Sequence, residues 1–183
     1  MKKLFDNESL SEETFNVNVQ KVPPGGGGFA YYQFPSIDNR RIGTYFINVN
    51  NIEKLPKHAA AALTLHEANP GHNLESVFNL KISPNPAYLK YLTYDWAKPG
   101  VPVNYDAFRE GWALYSEYLG FEMGIYNDPY AKIGFYSGNL LRAARLVVDT
   151  GLHAFGWSRN RAIEYLVDNT LFSRSFAEQQ IDR

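Results

Sequence analysis

Pro70 and Gly71 stand between two histidines, and this arrangement constrains the fold more than any other feature of the chain. Residues 66–72 have the sequence HEANPGH. In the common zinc-binding helix, two histidines four residues apart share one face, and the Glu after the first acts as general base. Here Pro70 takes the fourth position, and His72 lies about 600° around a continuous helix from His66. An unbroken helix therefore cannot bring both imidazoles to one metal ion.

Two interpretations of the Pro-Gly pair are open. Proline removes a helical hydrogen bond and glycine adopts backbone angles closed to other residues, so the chain can bend here. A bend would bring His72 back to His66 as a second zinc ligand, with Glu67 as the base. Alternatively, the pair simply ends the helix, and His72 is a polar residue of the next turn. Short motifs match by chance often enough that these residues alone do not decide.

A third metal ligand would have to come from another part of the chain. There is no cysteine, which leaves His, Asp and Glu as candidate ligands and excludes disulfides and a cysteine nucleophile. Glu110 is the preferred ligand, because the adjacent Gly111 would allow close approach of the helix that carries the histidines. Glu117, about two turns further along the same face, is the rival. If it is not the ligand, Glu117 either orients an imidazole or is an ordinary surface charge.

Arg145, Asp149 and His153 follow one another at four-residue spacing on a later predicted helix that also carries Arg142. In one interpretation Arg145 and His153 face a cleft, where they bind a peptide carboxylate and stabilise an oxyanion, a role also open to Tyr115. In the other, the row is an intrahelical ladder of salt bridges. The sequence does not fix the roles of Arg142 and Asp149.

The residue pattern predicts a mainly helical chain with a small β element. Two short strands, 29–34 and 44–49, are rich in aromatic and β-branched residues and are placed to form a hairpin. Helices are predicted from residue 55 through Glu67 and over 87–95, 105–123, 130–154 and 159–172. Residues 1–22 are polar and weakly periodic and are assigned to an N-terminal arm, and residues 23–183 to one domain. The four glycines at 25–28 lack the neighbours of a phosphate-binding loop and indicate a flexible loop.

Composition argues against two classes of partner. The formal net charge is −1, from 18 basic and 19 acidic residues, so no global field would attract nucleic acid or an anionic membrane. No apolar run is long enough for a membrane span or a signal peptide. The chain is therefore expected to be soluble, and its compartment is left open because a family targeting signal would lie upstream.

These motifs resemble the mainly bacterial family known as domain of unknown function 885, which is grouped with the zincin-like metallopeptidases. The resemblance rests on residues 43–48, 65–72, 108–117 and 141–153. It implies a mostly helical, gluzincin-like fold, with His66, His72 and Glu110 as zinc ligands and Glu67 activating the water. By analogy with related helical peptidases, strand 43–48 would border the cleft and pair with an extended peptide. Family members are several times longer, so the chain corresponds to the catalytic C-terminal part.

The expected function is zinc-dependent hydrolysis of short peptides. One alternative is an inactive or truncated zincin-like domain that binds a peptide or a partner protein. Another is a zinc hydrolase of non-peptide amides or esters, because the pocket and not the metal-activated water selects the substrate. Helical surface left exposed by a missing portion would offer a face through which two copies can pair.

Overall fold

The computed structural model describes residues 4–5, 12–25, 29–36, 38, 40–49, 57–81, 84 and 106–182. Within these residues the protein is mainly helical, as predicted, and its β element is a three-stranded sheet rather than the predicted pair of strands. The strands are β1 (Asn18–Lys21), β2 (Ala30–Gln33) and β3 (Thr44–Ile47). The helices are α1 (Ala60–Glu67), α2 (His72–Lys81), α3 (Asp106–Glu122), α4 (Pro129–His153), α5 (Arg159–Asn169) and α6 (Arg174–Ile181). The helix predicted over 87–95 lies outside the described residues, and no helix among those described is long and apolar enough to cross a membrane.

The sheet has the order β1-β3-β2, which makes β3 its central strand. β3 runs antiparallel to β2, with Tyr32 opposite Tyr45, so the predicted hairpin is confirmed. It runs parallel to β1, with Asn18 opposite Thr44. The prediction that strand 43–48 pairs with an extended peptide is therefore wrong, because both hydrogen-bonding edges of β3 are already occupied. Among the described strands, the outer edges of this sheet belong to β1 and β2.

Residues 12–22, which the sequence assigned to an arm, are part of the fold. β1 lies in the sheet, and Thr14 and Val22 on either side of it are buried. The Asn69 side chain, in the turn after α1, donates a 2.8 Å hydrogen bond to the Phe15 carbonyl. All four β1 residues are exposed. The strand therefore lacks the alternation of apolar and polar residues that predicts a half-buried strand.

The helices pack around two hydrophobic clusters. In one, Leu141 of α4 meets Ile163 and Leu166 of α5 and Ala177 of α6. The other consists of Ala62 and Leu65 of α1 with Ala131 and Phe135 of α4, and Tyr126 of the loop between α3 and α4. The second cluster holds α1 against α4 and the end of α3. Ser158 caps α5, which lies within the predicted helix 159–172, whereas α6, capped by Ser173, was not predicted.

Close approach of α3 to α1 occurs at Gly120 and not at Gly111. A Cβ atom on Gly120 would lie 2.6 Å from a side-chain carbon of Leu65, whereas a Cβ atom on Gly111 would meet nothing within 4 Å. The reason given for preferring Glu110 as a ligand, the small size of its neighbour, is therefore wrong. Its position depends on other contacts of α3.

Candidate metal centre

The Pro70-Gly71 turn ends α1 at Glu67 and starts α2 at His72. The Asn69-Pro70 peptide bond is cis. The Gly71 amide donates to the Leu65 carbonyl at 2.9 Å. A Cβ atom on Gly71 would lie 1.8 Å from the His66 carbonyl oxygen, so only glycine fits without a backbone shift. The helix does end here, yet the turn also brings the rings of His66 and His72 together, with centroids 4.9 Å apart and planes at 86°.

Glu110 of α3 reaches both histidines. Its carboxylate oxygens lie 3.4 Å from His66 Nε2 and 3.6 Å from His72 Nε2. One ligand atom from each of the three residues falls within 4.8 Å of the others. Zinc bonds of about 2.0–2.1 Å at tetrahedral angles separate ligand atoms by about 3.4 Å. The three residues fit that requirement in two of their pairs, and the donor set of two imidazoles and one carboxylate is that of catalytic zinc sites.

Two contacts that the sequence did not predict hold α3 beside the turn. The indole Nε1 of Trp112 donates a 2.8 Å hydrogen bond to the Pro70 carbonyl. Arg109 forms an ion pair with Glu75 of α2 at 3.7 Å. Both residues lie close to Glu110 on α3. Trp112 contacts the turn, and Arg109 contacts α2. Together they set the distance between Glu110 and the histidines.

Glu117 is the partner that orients His66, one of the three roles the sequence left open for it. Its side chain is only 2% exposed, and its Oε1 lies 2.8 Å from His66 Nδ1. The same oxygen accepts a 2.8 Å contact from Arg142 of α4. Arg142 thus compensates the buried carboxylate, and the nitrogen left for a metal is His66 Nε2. By contrast, Nδ1 of His72 has no hydrogen-bond partner among the described residues.

The pKa values of the three candidate ligands are shifted differently. Burial alone would lower the pKa of His66, but hydrogen bonds to Glu110 and Glu117 outweigh it and raise that pKa to about 9. Burial and the nearby His66 lower the pKa of His72 to about 4. The pKa of Glu110 is lowered, chiefly by its hydrogen bond with His66. One imidazole and one carboxylate are therefore ready to bind a cation, and a metal ion must displace the proton of the other imidazole.

Glu67 lies at the end of α1, buried beside this group. Burial raises the pKa of its carboxyl group to about 7, against the opposing effects of His66 and of a hydrogen bond with the Tyr32 backbone. Tyr32 belongs to β2, so β2 lies beside Glu67, and the charge of Glu67 also acts on Tyr45 of β3. A carboxyl group with a pKa near 7 can both accept and release a proton at neutral pH.

The structure does not bring Tyr115 to this cluster. At 100° per residue, Tyr115 points about 140° around α3 from Glu110. Its ring is half exposed and lies between Trp112 and Tyr118, with centroids 6.0 Å and 6.4 Å away.

Arg145 forms a hydrogen bond, and His153 an ion pair, with residues outside the histidine pair. Arg145 donates a hydrogen bond to Gln180 of α6. His153 is 78% exposed in the last turn of α4, where it forms an ion pair with Asp149 at 3.7 Å. That turn is about 16 Å along the helix from Arg142. The salt-bridge interpretation describes His153, and the residue of this helix that reaches the cluster is Arg142.

The fold and site define a mainly helical protein with a candidate metal centre of two histidines and one glutamate. The family model of DUF885, bacterial proteins of unknown function, matches residues 3–183. The chain therefore belongs to that family. It is also similar to the crystal structure of a Colwellia psychrerythraea protein provisionally classed as a lipoprotein, with a TM-score of 0.81 and 36% sequence identity. The match covers 92% of this chain but 28% of that one, so the chain spans less than a third of that neighbour. A search of curated proteins gave no match.

Proposed function

We propose that this chain is the zinc-binding, zincin-like part of a hydrolase that cleaves peptide bonds. The observation that carries the proposal is the convergence of ligand atoms from His66, His72 and Glu110 within 4.8 Å, beside the buried Glu67. Among biological metal ions, zinc is favoured by this donor set and by the open side of the cluster, where the Glu110 side chain is 60% exposed. Substrate can approach from that side.

Each residue has a role that follows from its contacts. When bound, zinc supplies a Lewis acid and lowers the pKa of a coordinated water. His66, His72 and Glu110 would hold the ion, and Glu117 fixes the His66 ring so that Nε2 faces it. Glu67 accepts the proton of the attacking water and passes it to the leaving amine, since its pKa of about 7 suits transfer in both directions. The oxyanion-stabilising role expected of Tyr115, Arg145 or His153 stays a prediction, which their contacts do not support.

The second candidate is a module that binds peptides or a partner protein without catalysis. The chain covers 28% of the Colwellia protein, so a cleft formed by both parts of such a longer chain would be incomplete here. Hydrolysis of amides or esters other than peptides is the third candidate and would use the same residues.

Zinc content tests the proposal first. We expect about one zinc per chain in the wild type purified without chelator, measured by elemental analysis, because the ligand atoms already converge. His66→Ala should lose the metal. His153→Ala is the matched control, because this histidine is 78% exposed and paired with Asp149, and it should retain zinc.

Peptide cleavage is measured next on the zinc-loaded protein. Cleavage by the wild type and at least about 100-fold slower turnover by Glu67→Gln, with zinc retained, would support the hydrolase. A wild type that takes up no zinc even when zinc is added would refute the proposal. Zinc binding without hydrolysis would favour the binding module, and cleavage of esters or amides alone would favour the third candidate.

A further inference from the structure

One face of α4 carries an apolar seam that is exposed along the whole helix. The seam residues alternate at spacings of three and four. They are Ile133, Tyr136, Leu140, Ala143, Val147, Thr150 and, just after the helix, Ala154, all exposed. No charged residue interrupts the seam.

A neighbouring face of α4 is already buried in the molecule. Leu141, Ala144 and Val148 lie in the cluster shared with α5 and α6. Each of them directly follows a seam residue, so the buried stripe and the seam lie about 100° apart around the helix. A surface helix normally shows one apolar stripe toward the core and a polar face toward water. α4 instead carries a second apolar stripe that is exposed to solvent.

The seam has the geometry of a coiled-coil contact. Alternating spacings of three and four keep side chains on one line along a helix that supercoils with a partner, and three heptads are enough to define such a seam. With 25 residues, α4 is about 37 Å long. Asp128 caps its first turn by accepting from the backbone amides of Tyr130 and Ala131.

We propose that this face pairs two copies of the chain about a two-fold axis, with α4 of one molecule lying lengthwise on α4 of the other. The seam carries no charge along its length, so the same surface of a second copy can pack against it. A two-fold interface requires this, because both partners contribute the same patch. The proposal concerns assembly and is independent of the proposed hydrolase.

The exposed area reaches the lower limit for a stable dimer. Leu146, directly before Val147 of the seam, is 74% exposed. Tyr136 also adjoins Phe121 of α3, with ring centroids 6.1 Å apart, and Tyr118 continues the aromatic surface. Taking about 150–250 Å² for each large side chain, the exposed portions add up to roughly 600 Å². Two such faces would bury about 1,200 Å², the lower end of the range for specific interfaces.

Sedimentation equilibrium from 1 to 200 µM tests the proposal, with Leu140→Glu as the seam variant. We expect the wild type to dimerise and Leu140→Glu to weaken the dimer at least about 100-fold, because a carboxylate would be buried without a partner. The matched control is Leu171→Glu, which charges a 70% exposed leucine outside α4. It should dimerise like the wild type.

A second measurement does not depend on a destabilising change. Because the chain has no cysteine, Ala143→Cys introduces a unique thiol in the seam, and a short bismaleimide should link two such chains. Leu171→Cys should not be linked under the same conditions. A wild type that stays monomeric at 200 µM would overturn the proposal and leave the face to a helix of a different chain. A dimer that survives Leu140→Glu, together with an Ala143→Cys variant that the bismaleimide does not link, would overturn it as well.

Discussion

Gly71 is the residue on which the approach of the two histidines depends. Its Cβ position lies 1.8 Å from the His66 carbonyl oxygen, and a backbone atom cannot move aside as a side chain can. We expect Gly71→Ala to abolish zinc binding in a calorimetric titration and to lower the melting temperature, because the turn must open to admit the methyl group. The matched control is Gly111→Ala. Its Cβ atom would meet nothing, so it should bind zinc normally and gain up to about 1 kcal/mol from helix propensity.

Wild-type zinc affinity in Gly71→Ala would show that the turn does not set the distance between the imidazoles. A loss of affinity in both variants would instead point to a general sensitivity of the two helices to added volume.

Substitution of Glu117 tests how much a residue that orients a metal ligand, here His66, contributes to zinc affinity. Its carboxylate links His66 and Arg142, so it joins α1, α3 and α4 at one oxygen atom. We expect Glu117→Gln to weaken zinc binding about 10–100-fold, because the amide orients the imidazole less well and makes it less basic. Competition with a fluorescent chelator measures the affinity, and circular dichroism confirms the fold. Glu122→Gln, at the exposed end of the same helix, should leave the affinity unchanged; equal affinity in both variants would exclude the orienting role.

Among the secondary-structure elements, β1 shows most clearly what residue patterns miss. The boundaries predicted for α3 and α4, 105–123 and 130–154, differ by one residue at each end from Asp106–Glu122 and Pro129–His153. Long amphipathic helices are predicted well because their apolar residues recur with the helical period. β1 instead depends on pairing with β3, which follows much later in the chain. Because all residues of β1 are exposed, its sequence shows no apolar alternation that would indicate this pairing.

The alternation of backbone groups in β1 provides a test of its pairing. Asn18 and Val22 donate to the carbonyls of Gly43 and Ile47 at 2.8 Å and 3.0 Å, so the Gln20 amide points to β3 and the Val19 amide points away. We expect Gln20→Pro to lower the free energy of unfolding by about 2 kcal/mol, because it leaves a strand carbonyl without its donor. Val19→Pro should be nearly neutral, since edge strands tolerate proline on the outer side. Urea denaturation measures both, and equal stabilities would return residues 12–22 to the status of an arm.

The stability of the whole molecule should decline at alkaline pH. Burial raises the pKa of Tyr32 well above its ordinary value, and burial with the charge of Glu117 does the same for Tyr126. Above pH ~10, the ordinary tyrosine value, the folded protein therefore holds protons that the unfolded chain has released. The free energy of unfolding should be unaffected by these groups below that pH. Above it, stability should fall by up to about 1.4 kcal/mol per pH unit for each of the two.

Urea denaturation at pH 9, 10 and 11 measures this decline. Tyr126→Phe should reduce the slope above pH 10, although it also loses the 2.8 Å hydrogen bond to the Glu117 carbonyl and so lowers stability at all pH values. An unchanged slope in this variant would contradict the assignment of the decline to Tyr126.

The sequence by itself determined the helical character of the chain, the extents of α3 and α4, the hairpin, and the residue types of the candidate centre. Each of these depends on local propensity, on the period of apolar residues or on chemical identity, and all three can be read directly from the amino-acid sequence. The importance of Gly71 could also be predicted, because a Pro-Gly pair between two histidines needs a backbone conformation that few residues allow.

Tertiary structure alone decided which of these residues meet. It placed Arg142, and not Arg145 or His153, behind Glu117, and it made β3 the central strand of the sheet, paired on both edges. It also moved the close approach of α3 to α1 from Gly111 to Gly120. Residues one turn apart on a helix look equivalent in sequence, and only the packing of that helix against its neighbours selects which one points inward. Strand order is likewise a property of non-local hydrogen bonds, so no local pattern encodes it.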